Sequence, residues 1–269
     1  MVEIFRSGHR FGIAARAGKL ALVAVLVLAG CTTSTEVPQA QQNHQNKAQE
    51  LYQAAQNDNA GKLSRGAAVA RFKRVMPRVR RAGETYCRSV RPGGSTAFCN
   101  VDFGIDPKLN VPNAYFTFQN GRPVVRVSVA LLQESGSDDE VAFVLAHEYG
   151  HMLGQHIQKS VQQAQAGAFI LGALTAAVGG DASAIDASMD LGAAVGGRAY
   201  SQDYELESDV LGTRIAYAAG YDPVKGLKFF TRAAKKGARN GGSFWSTHPP
   251  DRRRVATVLA EVERIKAGR

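Results

Sequence analysis

The stretch His147-Glu148-Tyr149-Gly150-His151 sets two imidazoles four residues apart, with a carboxylate directly after the first. On a helix, residues i and i+4 share a face, so both rings can address one ion. Two neutral ring nitrogens and a carboxylate suit a single Zn2+, whose fourth position is left for water. Glu148, turned toward that water, has the chemistry of a general base. The third ligand must come from elsewhere. In the run Tyr204-Glu205-Leu206-Glu207-Ser208-Asp209, Glu205 and Asp209 are i,i+4 on one helical face. Glu205 is the candidate ligand, and Asp209 a candidate acceptor for the outer N–H of a ligand histidine. Spacing alone ranks Glu205 only modestly above Glu207, which points away and is read as solvated. His156 fits a helix end with a structural role. His44 falls in a polar stretch and His9 in the leader, so neither is a candidate. His248, before Pro249-Pro250, is on its own a loop histidine.

Several elements must position these groups. Ser137-Asp138-Asp139-Glu140 is a capping box that opens a helix running through Val141, Val144, Leu145, Met152 and Leu153 to about Lys159. A second helix is expected over about Tyr200 to Ala219, stopping at Gly220. A third is N-capped by Asp222-Pro223 and ends near Gly237, and the last runs from about Pro250 to Lys266. Upstream, residues 47–81 are helical in pattern with a break near Asn57 to Gly61. Strand candidates are Ala97 to Phe103, Ala114 to Phe118 and Pro123 to Val129, the latter two joined through Asn120-Gly121, a strong hairpin signal. Between the ligand-bearing helices, residues 166–198 are rich in Ala and Gly, with an apolar run from Ala166 to Val178. Thirteen residues are too few to span a bilayer, so the run is read as buried or loosely packed helix; its glycines and its place make a lid or plug conceivable. The fold class is therefore α+β, mainly helical, with a small antiparallel sheet or hairpin beside the metal-binding helix.

The beginning of the chain predicts its compartment. Arg6, Arg10, Arg16 and Lys19 precede the apolar run Leu20 to Ala29, a secretory leader over residues 1–30. Leu28-Ala29-Gly30-Cys31 resembles a lipoprotein processing site, so Cys31 is the expected lipid attachment point. Thr32 after it, by resemblance to lipoprotein sorting, points to the periplasm with anchoring in the outer membrane. Residues 31–46 are polar and expected as a flexible tether, and 47–269 as a single catalytic domain. With Cys31 acylated, Cys87 and Cys99 remain in an oxidising compartment and are expected to form a disulfide, a crosslink worth about 3 kcal/mol by chain entropy. The formal charge of +10 collects in Lys62 to Arg91 and in Arg252-Arg253-Arg254. Solvated helix faces explain most of it, and attraction to anionic lipid headgroups is the functional reading. Nucleic acid is excluded as a partner by the export signal and by the lack of any reader motif.

The H-E-x-x-H motif, the E-x-x-x-D of Glu205 to Asp209, and Ser246-Thr247-His248-Pro249 together resemble the HtpX-type gluzincin (minigluzincin) zinc metallopeptidases. The nearest branch is that of periplasmic lipoproteins and soluble members such as LoiP and BepA. The likeness covers roughly residues 110–255 and includes Asn113-Ala114-Tyr115 before the hairpin. It implies that Glu205 is the third zinc ligand and that His248 lies near the metal, as oxyanion stabiliser or as a fourth ligand in a latent state. It implies that Arg254 either braces the site by a salt bridge or touches substrate. It also implies that the strand containing Asn113, Ala114 and Tyr115 offers its edge to an extended peptide. The expected activity is zinc-dependent endopeptidase cleavage of unfolded or misassembled outer-membrane proteins, in contact with outer-membrane assembly machinery. The alternative is a chaperone-like assembly factor with a latent zinc site. Two departures stand out: Ser208 where the family usually has Ala, and Thr117-Phe118-Gln119 before the turn.

Overall fold

The computed structural model describes residues 34–55, 58, 61–91, 93, 96–199, 201–235 and 243–268, without the side chains of 96, 195–199, 201 and 233–235. The leader expected at 1–30 and the acylation site Cys31 lie outside the described residues. The elements in chain order are α1 (Gln42–Ala55), α2 (Arg65–Val90), α3 (Thr96–Cys99), β1 (Asp102–Ile105), β2 (Ala114–Gln119), β3 (Arg122–Val127), α4 (Val129–Glu134), α5 (Asp138–Leu153), α6 (His156–Ala177), α7 (Ala182–Ala199), α8 (Ser201–Ala218), α9 (Pro223–Gly226), α10 (Lys228–Lys235), α11 (Phe244–Thr247) and α12 (Arg252–Lys266). This is the expected α+β class, dominated by helix. Two compact units divide it: one runs to residue 157 and resumes at 201, and the other is 158–199.

In the larger unit α5 is the central rod. Its start is set by Ser137, whose side chain accepts from Glu140 N at 3.2 Å, while Glu140 Oε2 accepts from Gly136 N at 2.7 Å. Three acidic residues in the first turn complement the helix dipole. Glu140 to Gly150 is buried without interruption, so α5 is covered on all sides. It stops earlier than expected, at Leu153 instead of about Lys159. Gly154 follows, then Gln155 in the left-handed region at φ 56°, and α6 begins at His156. Cys87 and Cys99 are joined by a disulfide. That crosslink, with Tyr149 donating to the Cys99 carbonyl at 2.6 Å, holds 96–99 as a short helix. The strand expected from Ala97 accordingly begins only at Asp102.

The sheet has the order β1-β3-β2. It is mixed and not wholly antiparallel, because β1 runs parallel to β3 and only β2 is antiparallel to it. Asn120 (φ 51°) and Gly121 (φ 74°) both adopt positive φ, as a two-residue hairpin turn of this twist requires. The polar stretch expected as a tether is described from residue 34. Pro38 and His44 are buried, α1 begins at Gln42, and His44 Nε2 meets Glu263 Oε2 at 2.7 Å.

The smaller unit is a pair of helical segments, 158–177 and α7, packed through small residues. A Cβ on Gly192 would stand 2.2 Å from the Gly167 carbonyl oxygen, and Thr175 Oγ1 bonds to Ser188 Oγ at 2.6 Å. The apolar run is not buried, however: Phe169 is 74% and Val178 85% exposed. Among the described residues no helix is long and apolar enough to cross a membrane.

Candidate metal centre

The helices carrying the expected ligands touch backbone to backbone. On α8, Glu205, Ser208, Asp209 and Gly212 follow the i, i+3, i+4, i+7 spacing of one helical stripe. Two glycines set the separation from α5. A Cβ on Gly150 would lie 2.8 Å from the Ser208 carbonyl oxygen, and one on Gly212 would lie 3.0 Å from the His147 Cα. That approach lets short carboxylates on α8 reach imidazoles on α5. His248 enters at the end of α11, its N–H donating to the Phe244 carbonyl at 2.8 Å and its ring stacked on Phe244.

One donor atom each from His147, His151, Glu205 and His248 falls within 4.8 Å of all the others. The Nε2 atoms of His147 and His151 face each other at 3.1 Å. Glu205 Oε2 lies 3.4 Å from His147 Nε2, and Oε1 3.2 Å from His151 Nε2. His248 Nδ1 is 2.9 and 3.0 Å from the two Glu205 oxygens and 3.3 Å from His147 Nε2. His147 Nδ1 stands 3.0 Å from Asp209 Oδ1, an ion-pair contact short of hydrogen-bond geometry; a proton carried on that nitrogen leaves the Nε2 lone pair facing inward, as a metal ligand needs. Glu148 Oε1 is buried and makes no hydrogen bond among the described residues, with His248 Nε2 at 3.4 Å. Imidazoles and a carboxylate converging out of solvent, with a second carboxylate oxygen awaiting a donor, fit zinc and the water it polarises.

Electrostatics keeps the carboxylates of the cluster ionised. Burial works to raise the Glu205 carboxyl, but His248, Arg254 and His151 outweigh it and hold the group well below the usual carboxylate range. Asp209 is likewise depressed, burial being overcome by Arg254. Burial pushes the His151 imidazole well below its ordinary value, while at His147 burial is outweighed by Asp209 and Glu205 and the pKa rises to about 9. The carboxylates therefore remain ionised and draw positive charge to the cluster.

Of the two roles open to Arg254, the geometry shows the brace. It is buried, donates through Nε and Nη2 to both Asp209 oxygens at 2.7 Å, and places Nη1 2.9 Å from Glu205 Oε2. Glu207 is not solvated as expected: it is fully buried, with Oε2 2.9 Å from His156 Nε2. His156 is more than a helix end, since its Nδ1 lies 2.9 Å from His151 Nδ1. The signal that could have found the pair is the Gly154-Gln155 break, which returns a histidine five residues beyond His151 to the site. Asn113 sits just before β2, bonded through its backbone N to Ser128 Oγ (3.0 Å) and through its carbonyl to Ser128 N (2.8 Å). Ala114 and Tyr115 open β2, which among the described residues is an outer strand paired only with β3, and Tyr115 donates to Asp106 at 2.7 Å. Given that register, the N–H and C=O of Ala114, Phe116 and Phe118 face away from β3.

The mainly helical fold and this donor set define a zinc metallopeptidase. The chain belongs to peptidase family M48, whose model matches residues 101–262. It is similar to the mitochondrial metalloendopeptidase OMA1 of Arabidopsis thaliana, 29% identical over 53% of this chain and 30% of the relative. It is equally similar to the OMA1 of Saccharomyces cerevisiae, 29% identical over 57% of this chain and 44% of the relative. The chain thus spans less than half the length of these relatives.

Proposed function

We propose that this protein is an endopeptidase that cleaves unfolded or misassembled polypeptides of the cell envelope, with His147, His151 and Glu205 as zinc ligands and Glu148 as the base. The observation that carries the reading is the buried, unbonded Glu148 Oε1 beside two inward-facing Nε2 atoms and an ionised carboxylate. Zinc held there supplies a polarised scissile carbonyl and an acidified water. Glu148 takes the proton of the attacking water and returns it to the departing amine. Asp209, clamped by Arg254, orients His147. The outward backbone groups of Ala114, Phe116 and Phe118 supply a ladder for an extended peptide, which demands little of its sequence. Asn113 and Tyr115 fix the start of that ladder through Ser128 and Asp106.

The envelope setting rests on the leader and on Leu28-Ala29-Gly30-Cys31, which support a periplasmic lipoprotein anchored in the outer membrane through Cys31 and placed in the HtpX-type branch with LoiP and BepA. Outer-membrane proteins that fail to assemble, and the machinery that assembles them, are the substrates and partners this location brings within reach. The test is Glu148→Gln. Zinc content at one per chain with casein or unfolded β-barrel cleavage abolished is the expected result, and retained cleavage rejects the base. A second reading, a chaperone-like assembly factor with a latent zinc site, is favoured by one feature: His248 Nδ1 lies among the donors, where as a fourth ligand it displaces water instead of stabilising an oxyanion. His248→Ala raises cleavage if the site is latent and lowers it if His248 serves the oxyanion.

A further inference from the structure

His151 is supported by a relay that ends at Ser34 and Thr35. Gly154 and Gln155 break α5 and bring His156 back over it; a Cβ on Gly154 would stand 2.1 Å from His156 Nε2, so the glycine makes room for the ring. Tyr204 stacks on that ring with centroids 4.5 Å apart and planes at 14°. Ser208 Oγ lies 3.2 Å from His156 Nδ1. On the far side, Glu207 Oε2 meets His156 Nε2 at 2.9 Å, and Glu207 Oε1 accepts from Ser34 N (2.7 Å), Ser34 Oγ (2.8 Å) and Thr35 N (2.7 Å).

With His156 neutral, one order of donors and acceptors accommodates these contacts. A carboxylate only accepts, so His156 Nε2 carries the proton toward Glu207, and His156 Nδ1 is then an acceptor. His151 must donate to it from Nδ1, which leaves the His151 Nε2 lone pair aimed at the metal. We infer that Glu207 and His156 are positioning residues for His151, and that the N-terminal strap at Ser34-Thr35 is part of the zinc site because it holds the Glu207 carboxylate. The inference rests on the zinc reading above. It adds a consequence for the anchor: the strap that completes the relay begins three residues after Cys31, so the segment nearest the expected lipid also sets the grip on the metal.

The test is zinc affinity of the full-length protein, measured by competition with a chromogenic chelator, together with thermal unfolding of the metal-free form. Wild type, His156→Ala, Glu207→Gln, Thr35→Pro and Glu207→Gln/Thr35→Pro are compared. Thr35→Pro removes one backbone donor from an exposed segment without touching the core. Supports of metal ligands are typically worth about 10–100-fold in affinity. His156→Ala and Glu207→Gln should lose an amount in that range, and Thr35→Pro a smaller one, with its metal-free melting point unchanged. The double variant should bind no worse than Glu207→Gln alone, since the strap acts through Glu207. Wild-type affinity in His156→Ala overturns the relay. Wild-type affinity in Thr35→Pro, or additive losses in the double variant, overturn the strap. A wild-type protein that binds no zinc overturns the underlying metal reading as well.

Discussion

The two metal-facing histidines of α5 are held by different kinds of structure. His147 leans on Asp209, which is gripped by a buried guanidinium, Arg254, itself placed over the Phe230 ring at 4.8 Å. Every member of that chain comes from α5, α8, α10 or α12, in the body of the larger unit. His151 leans on His156, then Glu207, then three neutral donors from a segment about 170 residues earlier in the chain. One support ends in a fixed charge inside the core, and the other in the backbone of an exposed strap. A single metal site thus combines a rigid half, which belongs to the fold, with a half that depends on how the start of the chain is seated.

The largest effect should come from breaking the rigid half. Asp209→Ala removes the partner of His147 and leaves Arg254 buried with only Glu205 for charge compensation. Removing one partner of a buried pair costs about 3–5 kcal/mol, so the variant should melt well below wild type in urea and lose zinc on dialysis. Adding Arg254→Met should restore part of the stability without restoring zinc affinity. If Asp209→Ala keeps wild-type stability, the two halves are not different in kind.

The helix crossing comes next, because both halves need it. Overpacking costs about 1–3 kcal/mol, and the clash differs between the two glycines: 2.8 Å from a carbonyl oxygen at Gly150 against 3.0 Å from a Cα at Gly212. Gly150→Ala should be the more destabilising in denaturant melts, with both variants losing activity because α8 is pushed off α5. Gly154→Ala sharpens the contrast. It displaces the His156 ring, so chelator competition should show weaker zinc while Asp209 and Arg254 keep the fold close to wild-type stability.

The rigid half was the legible one. H-E-x-x-H and E-x-x-x-D are patterns within single helices, where period alone puts His147 with His151 and Glu205 with Asp209 on common faces. The capping box at Ser137 and the Asn120-Gly121 turn were equally local. What the sequence hid is non-local. Glu207 points away from the face of α8 shared by Glu205 and Asp209, which reads as solvated, but what covers it is His156 and the strap. The register of α5 past Leu153 depended on a left-handed Gln155, a residue with no strong preference for that conformation. The parallel placement of β1 follows from pairing with β3 twenty residues later. The exposure of Phe169 and Val178 could not be read from an apolar run either, since composition gives the content of a helix pair and not what covers it.

The smallest effect separates two ways of seating the strap. Glu36, one residue past Thr35, lies 3.8 Å from Arg264, with side chains 82% and 31% exposed. Ion pairs this open are screened and often contribute nothing measurable, whereas Glu207 is fully buried and accepts three bonds from Ser34 and Thr35. Glu36→Gln should therefore leave both zinc affinity and melting temperature at wild-type values, in low salt as in high. A loss of affinity comparable to that of Thr35→Pro, relieved by salt in neither variant, would mean that the strap is seated along its whole length. The His151 support would then extend to α12, and the contrast between a core-held and a strap-held histidine would narrow to a difference in distance.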